Sequence, residues 1–354
     1  MLADILKDAR VFSGMKAREI AVKLDVDATL ISRFESGDRM PTESQLEELI
    51  ALLNLDSEKV RAEWLADKVV KLVRYQPVAR EALMLAESRI EYLKASKVHE
   101  LPQISNHLQQ RIVYADGLKS EWQSKRPLNI TQLYKMKEYF QIENTFESNR
   151  IEGNTLTLQE TQLVVNEGLT ISGKSMREHL EAVNHADALQ FLEELVSNQG
   201  ALNRRNVLSL HQLILKSVDT QNAGVYRSVP VRISGSRHEP PQVYMIDKLM
   251  EDFFAYFKTH RRKIHPLIMA AEVHERLVSI HPFIDGNGRT SRLLMNLVLL
   301  QNGYTLSHIK GDNENRLAYY NALERVQLDN NPEPFYRLVV EAAIHSLEEH
   351  LKLV

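Results

Sequence analysis

The sequence predicts an all-α protein with one short β-hairpin, and three observations point to it. Glycine and proline number only 13 and 11 in 354 residues, and they gather between Gly224 and Pro241 and again between Pro282 and Gly288. Elsewhere apolar side chains recur at helical spacing, as in Leu133, Met136, Phe140 and in Val207, Leu210, Leu213, Ile214. Period-two alternation shows at Val229, Val231 and Ile233, followed at once by turn residues, which suits a short exposed hairpin over 224–243.

Composition narrows the class. Apolar residues make up 44% and charged residues 26%, which suits a chain with a sizeable core. There is no cysteine, so disulfides, thiolate–zinc sites and a cysteine nucleophile are excluded. The opening MLADILKDAR mixes charges into its apolar residues, unlike a secretory signal. No uncharged apolar run approaches the ~18–20 residues that span a bilayer. A cytoplasmic protein with no membrane partner is the expectation. A formal net charge of −3 offers no global attraction for nucleic acid.

Taken in order, residues 17–24 (AREIAVKL) form one amphipathic segment, Asp25-Val26-Asp27 breaks it, and residues 28–36 (ATLISRFES) form a second. Asp27 is placed to cap the second helix, Gly37 to end it and Pro41 to open the next. Two short helices around a tight turn make a helix-turn-helix over residues 1–57. Arg10, Glu19-Ile20-Ala21, Ile31-Ser32, Glu35-Ser36-Gly37 and Pro41 together resemble the Cro/repressor-like (XRE) family. The resemblance implies that Arg10 pairs with Glu35; Thr29, Ser32 and Arg33 are the side chains able to reach base edges of DNA. Residues 1–50 nevertheless hold seven basic and ten acidic side chains, so little is left to neutralise phosphates, and docking a partner protein is the rival reading. Residues 58–129 read as a helical connector, with helix on both sides of Pro77.

The densest chemistry lies in His281-Pro-Phe-Ile-Asp-Gly-Asn-Gly-Arg-Thr-Ser-Arg292, a loop between two helical segments. Gly286 and Gly288 let backbone amides approach an anion, and the loop runs into a helix N-terminus that favours phosphate. Arg289 and Arg292 share a face there. Asp285 is the one carboxylate in the loop and can hold a Mg²⁺ that bridges phosphate oxygens, and His281 can take a proton near neutral pH. The stretch matches the Fic motif, H-x-F-x-D/E-G-N-G-R-x-x-R, at every defined position. That resemblance implies His281 as the base towards a target hydroxyl, Asp285 as the Mg²⁺ ligand, Gly286, Asn287 and Gly288 as the anion hole, and Arg289 and Arg292 on the ATP phosphates.

Three further segments take meaning from the same resemblance, which spans about residues 130–340 of an expected domain over 130–345. Ser148 and Glu152 share a helix face and Gly153 stops that helix, like the Fic inhibitory motif, S/T-x-x-x-E-G/N; this implies a brake around 145–154 with Glu152 on Arg292. The hairpin over 224–243 resembles the family's flap, which aligns target main chain. Tyr319, Tyr320, Leu323 and Gln327 lie where the family contacts adenosine, although aromatics at this spacing are more often core.

The fold class expected is therefore a helical Fic domain with a short β-hairpin flap, plus a small N-terminal helix-turn-helix domain. The function implied is Mg²⁺- and ATP-dependent adenylylation of a protein Ser, Thr or Tyr hydroxyl, held back by Glu152. Removal of the same modification is an alternative, as is a DNA-binding regulator whose Fic part senses nucleotide. A second copy of the chain, as substrate or dimer partner, stays open.

Overall fold

The computed structural model describes residues 1–95 and 101–354, which form two compact units, Met1–Arg89 and Ile90–Val354. Sixteen α-helices and one 3-10 turn occur among the described residues, and no strand does. None of these helices is long and apolar enough to cross a membrane.

In the first unit α1 (Leu2–Phe12), α2 (Ala17–Lys23), α3 (Ala28–Glu35), α4 (Glu43–Leu53) and α5 (Ser57–Val73) close around Leu6, Ile20, Ile31, Phe34, Leu46, Leu49, Val60 and Trp64. The turn between α2 and α3 uses Asp25 in the left-handed region (φ 51°), and Asp27 caps α3 by accepting the Thr29 amide at 2.7 Å. The Arg10 guanidinium binds Glu35 through two hydrogen bonds of 2.6 and 3.0 Å, tying α1 to the end of α3. The fourth helix opens two residues later than Pro41 suggests. Thr42 is its cap, in a reciprocal box with Gln45, while the Pro41 carbonyl accepts the Trp64 indole N–H at 2.9 Å. Thr29, Ser32 and Arg33 all lie on the exposed face of α3.

The expected connector over 58–129 is divided. Val60 and Trp64 make α5 part of the first core, and α6 (Ala79–Ala95) follows beyond Pro77. Residues 96–100 of that stretch lie outside the described residues. In α7 (Asn106–Ser124), Leu108, Ile112, Ala115 and Trp122 are buried in the second unit's core, and Arg111 grips Glu341 with two 2.6 Å bonds. Amphipathic helices at a domain edge look like linkers in sequence, because the surface they cover is far away in the chain.

The second unit continues through α8 (Ile130–Ile151), α9 (Leu158–Glu167), α10 (Met176–Ser197), α11 (Arg204–Leu215), the 3-10 turn Val243–Met245, α12 (Ile246–His260), α13 (Pro266–Ile280), α14 (Asn287–Gln301), α15 (Asn313–Asp329) and α16 (Glu333–Leu351). Helix α14 is the hub. It packs on α13, α10, α11 and α8, so Leu293, Leu294, Met295, Leu297 and Leu299 are wholly buried. Its buried polar residue Asn296 is satisfied by exchanging bonds of 2.8 Å with the Ser307 main chain. Burying one helix on all sides holds its N-terminus, and the loop that feeds it, rigidly in place.

The expected hairpin is a correction: residues 224–243 contain no strand. Val229 is exposed, and Pro230, Pro240 and Pro241 lack the amide donors a ladder needs. The segment instead hangs on Arg227, its one buried side chain.

Trp64→Ala should loosen the first unit by about 3–5 kcal/mol, through the cavity and the orphaned Pro41 carbonyl. The neighbouring Leu65 is 54% exposed, and its replacement by Ala should change stability by less than about 0.5 kcal/mol. Amide hydrogen exchange in α1 and α4 separates the two outcomes without averaging over both units.

Candidate active site

The site is built where α13 ends and α14 begins. His281 closes α13 in the left-handed region (φ 50°), which turns the chain sharply into the loop. Phe283 is fully buried and stacks on His211 with ring centroids 3.6 Å apart. His211 in turn accepts the Gly224 amide at Nδ1 (2.9 Å), so its Nε2–H donates to the Asp285 carbonyl (2.9 Å). Asn287 exchanges bonds of 3.0 and 2.9 Å with the Phe283 amide and carbonyl, cross-bracing the loop. That engages the Asn287 side chain, and leaves its backbone amide as its contribution to an anion hole.

No side chain caps α14, whose N-cap is Gly286 with φ 77°. A helix start without a cap presents unpaired amides and the positive end of the dipole. At Gly286 a Cβ would press on His211 and Ile214 at 3.3 Å. Arg289 and Arg292, both nearly inaccessible, add two cations at this same terminus. Arg289 reaches Asp285 Oδ1 at 3.2 Å and lies 3.7 Å from Glu181. Burial works against the Asp285 charge, but Arg289, the Gly286 amide and Arg177 hold its carboxyl below the usual range.

Arg292 shows what balances these charges. Its Nε donates to Ser148 Oγ (2.9 Å), and its Nη2 donates to the Ser148 carbonyl (2.9 Å) and to Glu152 Oε1 (2.6 Å). Burial alone would weaken this cation, yet the Glu152 carboxylate holds its pKa above the ordinary value. Glu152 follows the last residue of α8, and Gly153 with φ 97° ends that helix. A Cβ on Gly288 would lie 2.4 Å from Glu152 Oε1, so the carboxylate sits directly over the first turn of α14.

His281 donates from Nδ1 to the Val278 carbonyl at 3.3 Å, which leaves Nε2 as the acceptor. Burial pushes its pKa down to about 4, with Arg227 and His238 adding to the effect. The imidazole is therefore neutral at pH 7, as a proton acceptor must be.

Of the expected adenosine contacts, Tyr319 is buried between α13 and α14, accepting from Arg292 Nη1 (3.4 Å) and donating to His274 Nε2 (3.1 Å). Leu323 is buried too. Tyr320 is 41% exposed and donates to the Ile151 carbonyl at 3.0 Å, while Gln327 donates to Ser279 Oγ at 3.3 Å. Sequence reasoning missed Arg177, whose Nη2 donates to Asp285 Oδ2 at 3.0 Å, and Glu181, His211 and Arg227. These come from α10, α11 and the 224–243 segment, with no local pattern to announce them.

The loop lies within a stretch that matches a known family. The Fic/DOC family pattern matches residues 201–299, and a helix-turn-helix domain pattern matches residues 2–64. The protein adenylyltransferase Fic of Drosophila persimilis is 34% identical over 218 residues, 61% of this chain and 42% of that protein. Its Aedes aegypti counterpart is 31% identical over 292 residues, 82% of this chain and 57% of that protein. The chain thus spans about half the length of the curated relatives it matches. Among solved structures, Fic-1 from C. elegans aligns with a TM-score of 0.63 at 26% identity, covering 95% of this chain and 96% of that one. A Fic domain containing signaling protein from Bacteroides thetaiotaomicron aligns with a TM-score of 0.62 at 27% identity, covering 68% and 97%. By these matches the chain carries a Fic/DOC-family domain, whose matched residues include the His281–Arg292 loop, together with an N-terminal helix-turn-helix domain.

Proposed function

We propose that this protein transfers the adenylyl group of ATP to a hydroxyl of a protein side chain. The observation that carries the reading is a neutral histidine at the mouth of an uncapped helix N-terminus that also holds two buried arginines. In the step, the hydroxyl oxygen attacks the α-phosphorus of ATP and its proton passes to His281 Nε2. The bond from that phosphorus to the bridging oxygen breaks, and pyrophosphate leaves. The first-turn amides of α14 receive phosphate oxygens, and Arg289 and Arg292 hold the departing charge. Asp285 is an ionised carboxylate with a side chain 40% exposed, and it would hold a Mg²⁺ by giving up its present Arg177 and Arg289 partners; the ion would neutralise charge on the substrate phosphates. We place the reaction in the cytoplasm, where ATP is abundant. Exposed Tyr320 and half-buried Gln327 are the part of the adenosine set within reach of a nucleotide, with Tyr319 and Leu323 supporting them from the core.

Glu152 is the proposed brake. It takes the guanidinium and the helix terminus that a γ-phosphate needs, so the chain supplies its own competing anion. Its position also suits orienting a water at the same phosphorus, which would make removal of the adenylyl group a second activity.

Glu152→Gly should raise adenylylation by roughly 30- to 150-fold, the factor for a bias of ~2–3 kcal/mol against the competent pose. Arg292→Ala should not, since it removes the phosphate's partner along with the brake's. Intact-mass spectrometry after incubation with ATP and Mg²⁺ reads both, on any target including the protein itself; an unchanged rate in Glu152→Gly would falsify the brake.

His281→Ala should lose about 10²–10⁴-fold in transfer while ATP affinity holds. Because the folded histidine titrates near 4, it is already deprotonated well below neutrality. The kcat/KM profile should be flat from pH 6 to 8 and fall about tenfold per unit below pH ~4. An acid limb near 6.5 would contradict a buried, neutral base.

For the first unit, we propose that α3 docks in the DNA major groove through Thr29, Ser32 and Arg33. Gel shifts on the upstream region of the chain's own gene should show weak binding that disappears as salt rises and weakens further in Arg33→Ala. No shift at the lowest salt would point to a protein partner for this face.

A further inference from the structure

Arg227 is 4% exposed, and no carboxylate among the described residues pairs with it. Its side chain is held by main-chain oxygens alone: Nε donates to the His281 carbonyl (2.8 Å), Nη1 to the Val229 carbonyl (3.1 Å) and Nη2 to the Pro241 carbonyl (2.5 Å). Its backbone amide donates to the Pro282 carbonyl at 2.8 Å. One residue thus grips two consecutive carbonyls of the catalytic turn and both ends of the 229–241 segment. An unpaired buried cation is costly, and such groups persist where the surroundings over-determine them. Tyr226, packed on Phe283 at 5.6 Å between ring centroids, seats the grip from the residue before.

We propose that Arg227 is a positioning residue that sets the base and the 229–241 segment in one register. This rests on His281 being the base of the proposed reaction. The His281 ring is held to its own helix only by the 3.3 Å bond to Val278, and its backbone occupies the left-handed region that non-glycine residues avoid. The direction of the imidazole is therefore dictated by where its main chain is pinned, and Arg227 is the side chain pinning it. The same guanidinium holds Val229 and Pro241, so the 229–241 segment stands at a fixed offset from the His281 main chain. Freeing the His281 main chain would let the base shift, and a misplacement of about 1 Å costs about 10²-fold in rate.

The test compares Arg227→Met and Arg227→Lys in full-length protein carrying Glu152→Gly. Arg227→Met should retain ATP affinity within about threefold while transfer falls by about 10²-fold; Arg227→Lys, which can still donate to one carbonyl, should recover part of that loss. Transfer within about threefold of the parent in Arg227→Met, or transfer and ATP affinity falling together, would overturn the proposal. Hydrogen exchange supplies a readout independent of activity: the His281 and Phe283 amides, protected by Leu277 and Asn287, should exchange faster in Arg227→Met while α16 is unchanged. Equal protection at both amides overturns the positioning role even if no target is labelled, whereas an inactive Glu152→Gly parent with altered protection counts against the adenylylation reading alone.

Discussion

Two arginines buried at the positive end of a buried helix form the constraint around which the second unit is organised. Arg289 and Arg292 lie within the first two turns of α14, where the dipole already disfavours cations and burial removes water. Such an arrangement is stable only with anions or carbonyls supplied from elsewhere. Asp285 and Glu181 serve Arg289, and Ser148 and Glu152 serve Arg292. The partners come from the loop, α10 and α8, so the charge balance of the site also joins the elements that enclose it. Arg292 is thus engaged at Nε and Nη2 and Arg289 at Nη2, and under the proposed function activity becomes a matter of which anion holds them.

The proposed competition is local and asymmetric. Arg292 is almost inaccessible, whereas the Glu152 side chain is 33% exposed and stands at a helix end, next to a glycine that needs no cap side chain. The carboxylate can leave more easily than the guanidinium can follow. Gly288 marks the contact point, since any side chain there would collide with Glu152 Oε1. Glycine at this position serves close anion approach in general, whether the anion is the chain's own or a nucleotide's.

His281 depends on the same enclosure. Burial, with the Arg227 charge adding to it, keeps its imidazole neutral, and one main-chain acceptor fixes the tautomer with Nε2 free to accept. Neither effect belongs to histidine in isolation. Both arise because α13 ends in a left-handed residue whose carbonyl is claimed by another segment.

Much of this was legible from residues alone, because it is local. The loop from His281 to Arg292, the spacing of Ser148 and Glu152, and the Asp27 and Gly37 boundaries of α3 lie within a few residues of one another, where helix geometry and backbone sterics dictate the outcome. The Arg10–Glu35 pair was reached through resemblance. What only the tertiary structure decided is non-local. It divided 58–129 between two cores, because an amphipathic face carries no label for what covers it. It turned 224–243 from a hairpin into an irregular segment hung on Arg227, since a ladder needs donors that three prolines lack. It buried Tyr319 beneath Arg292, and brought Arg177, Glu181 and His211 to the loop from helices more than seventy residues away in sequence. A sequence pattern reports which groups share one helix face; which faces meet is set by packing the whole core at once.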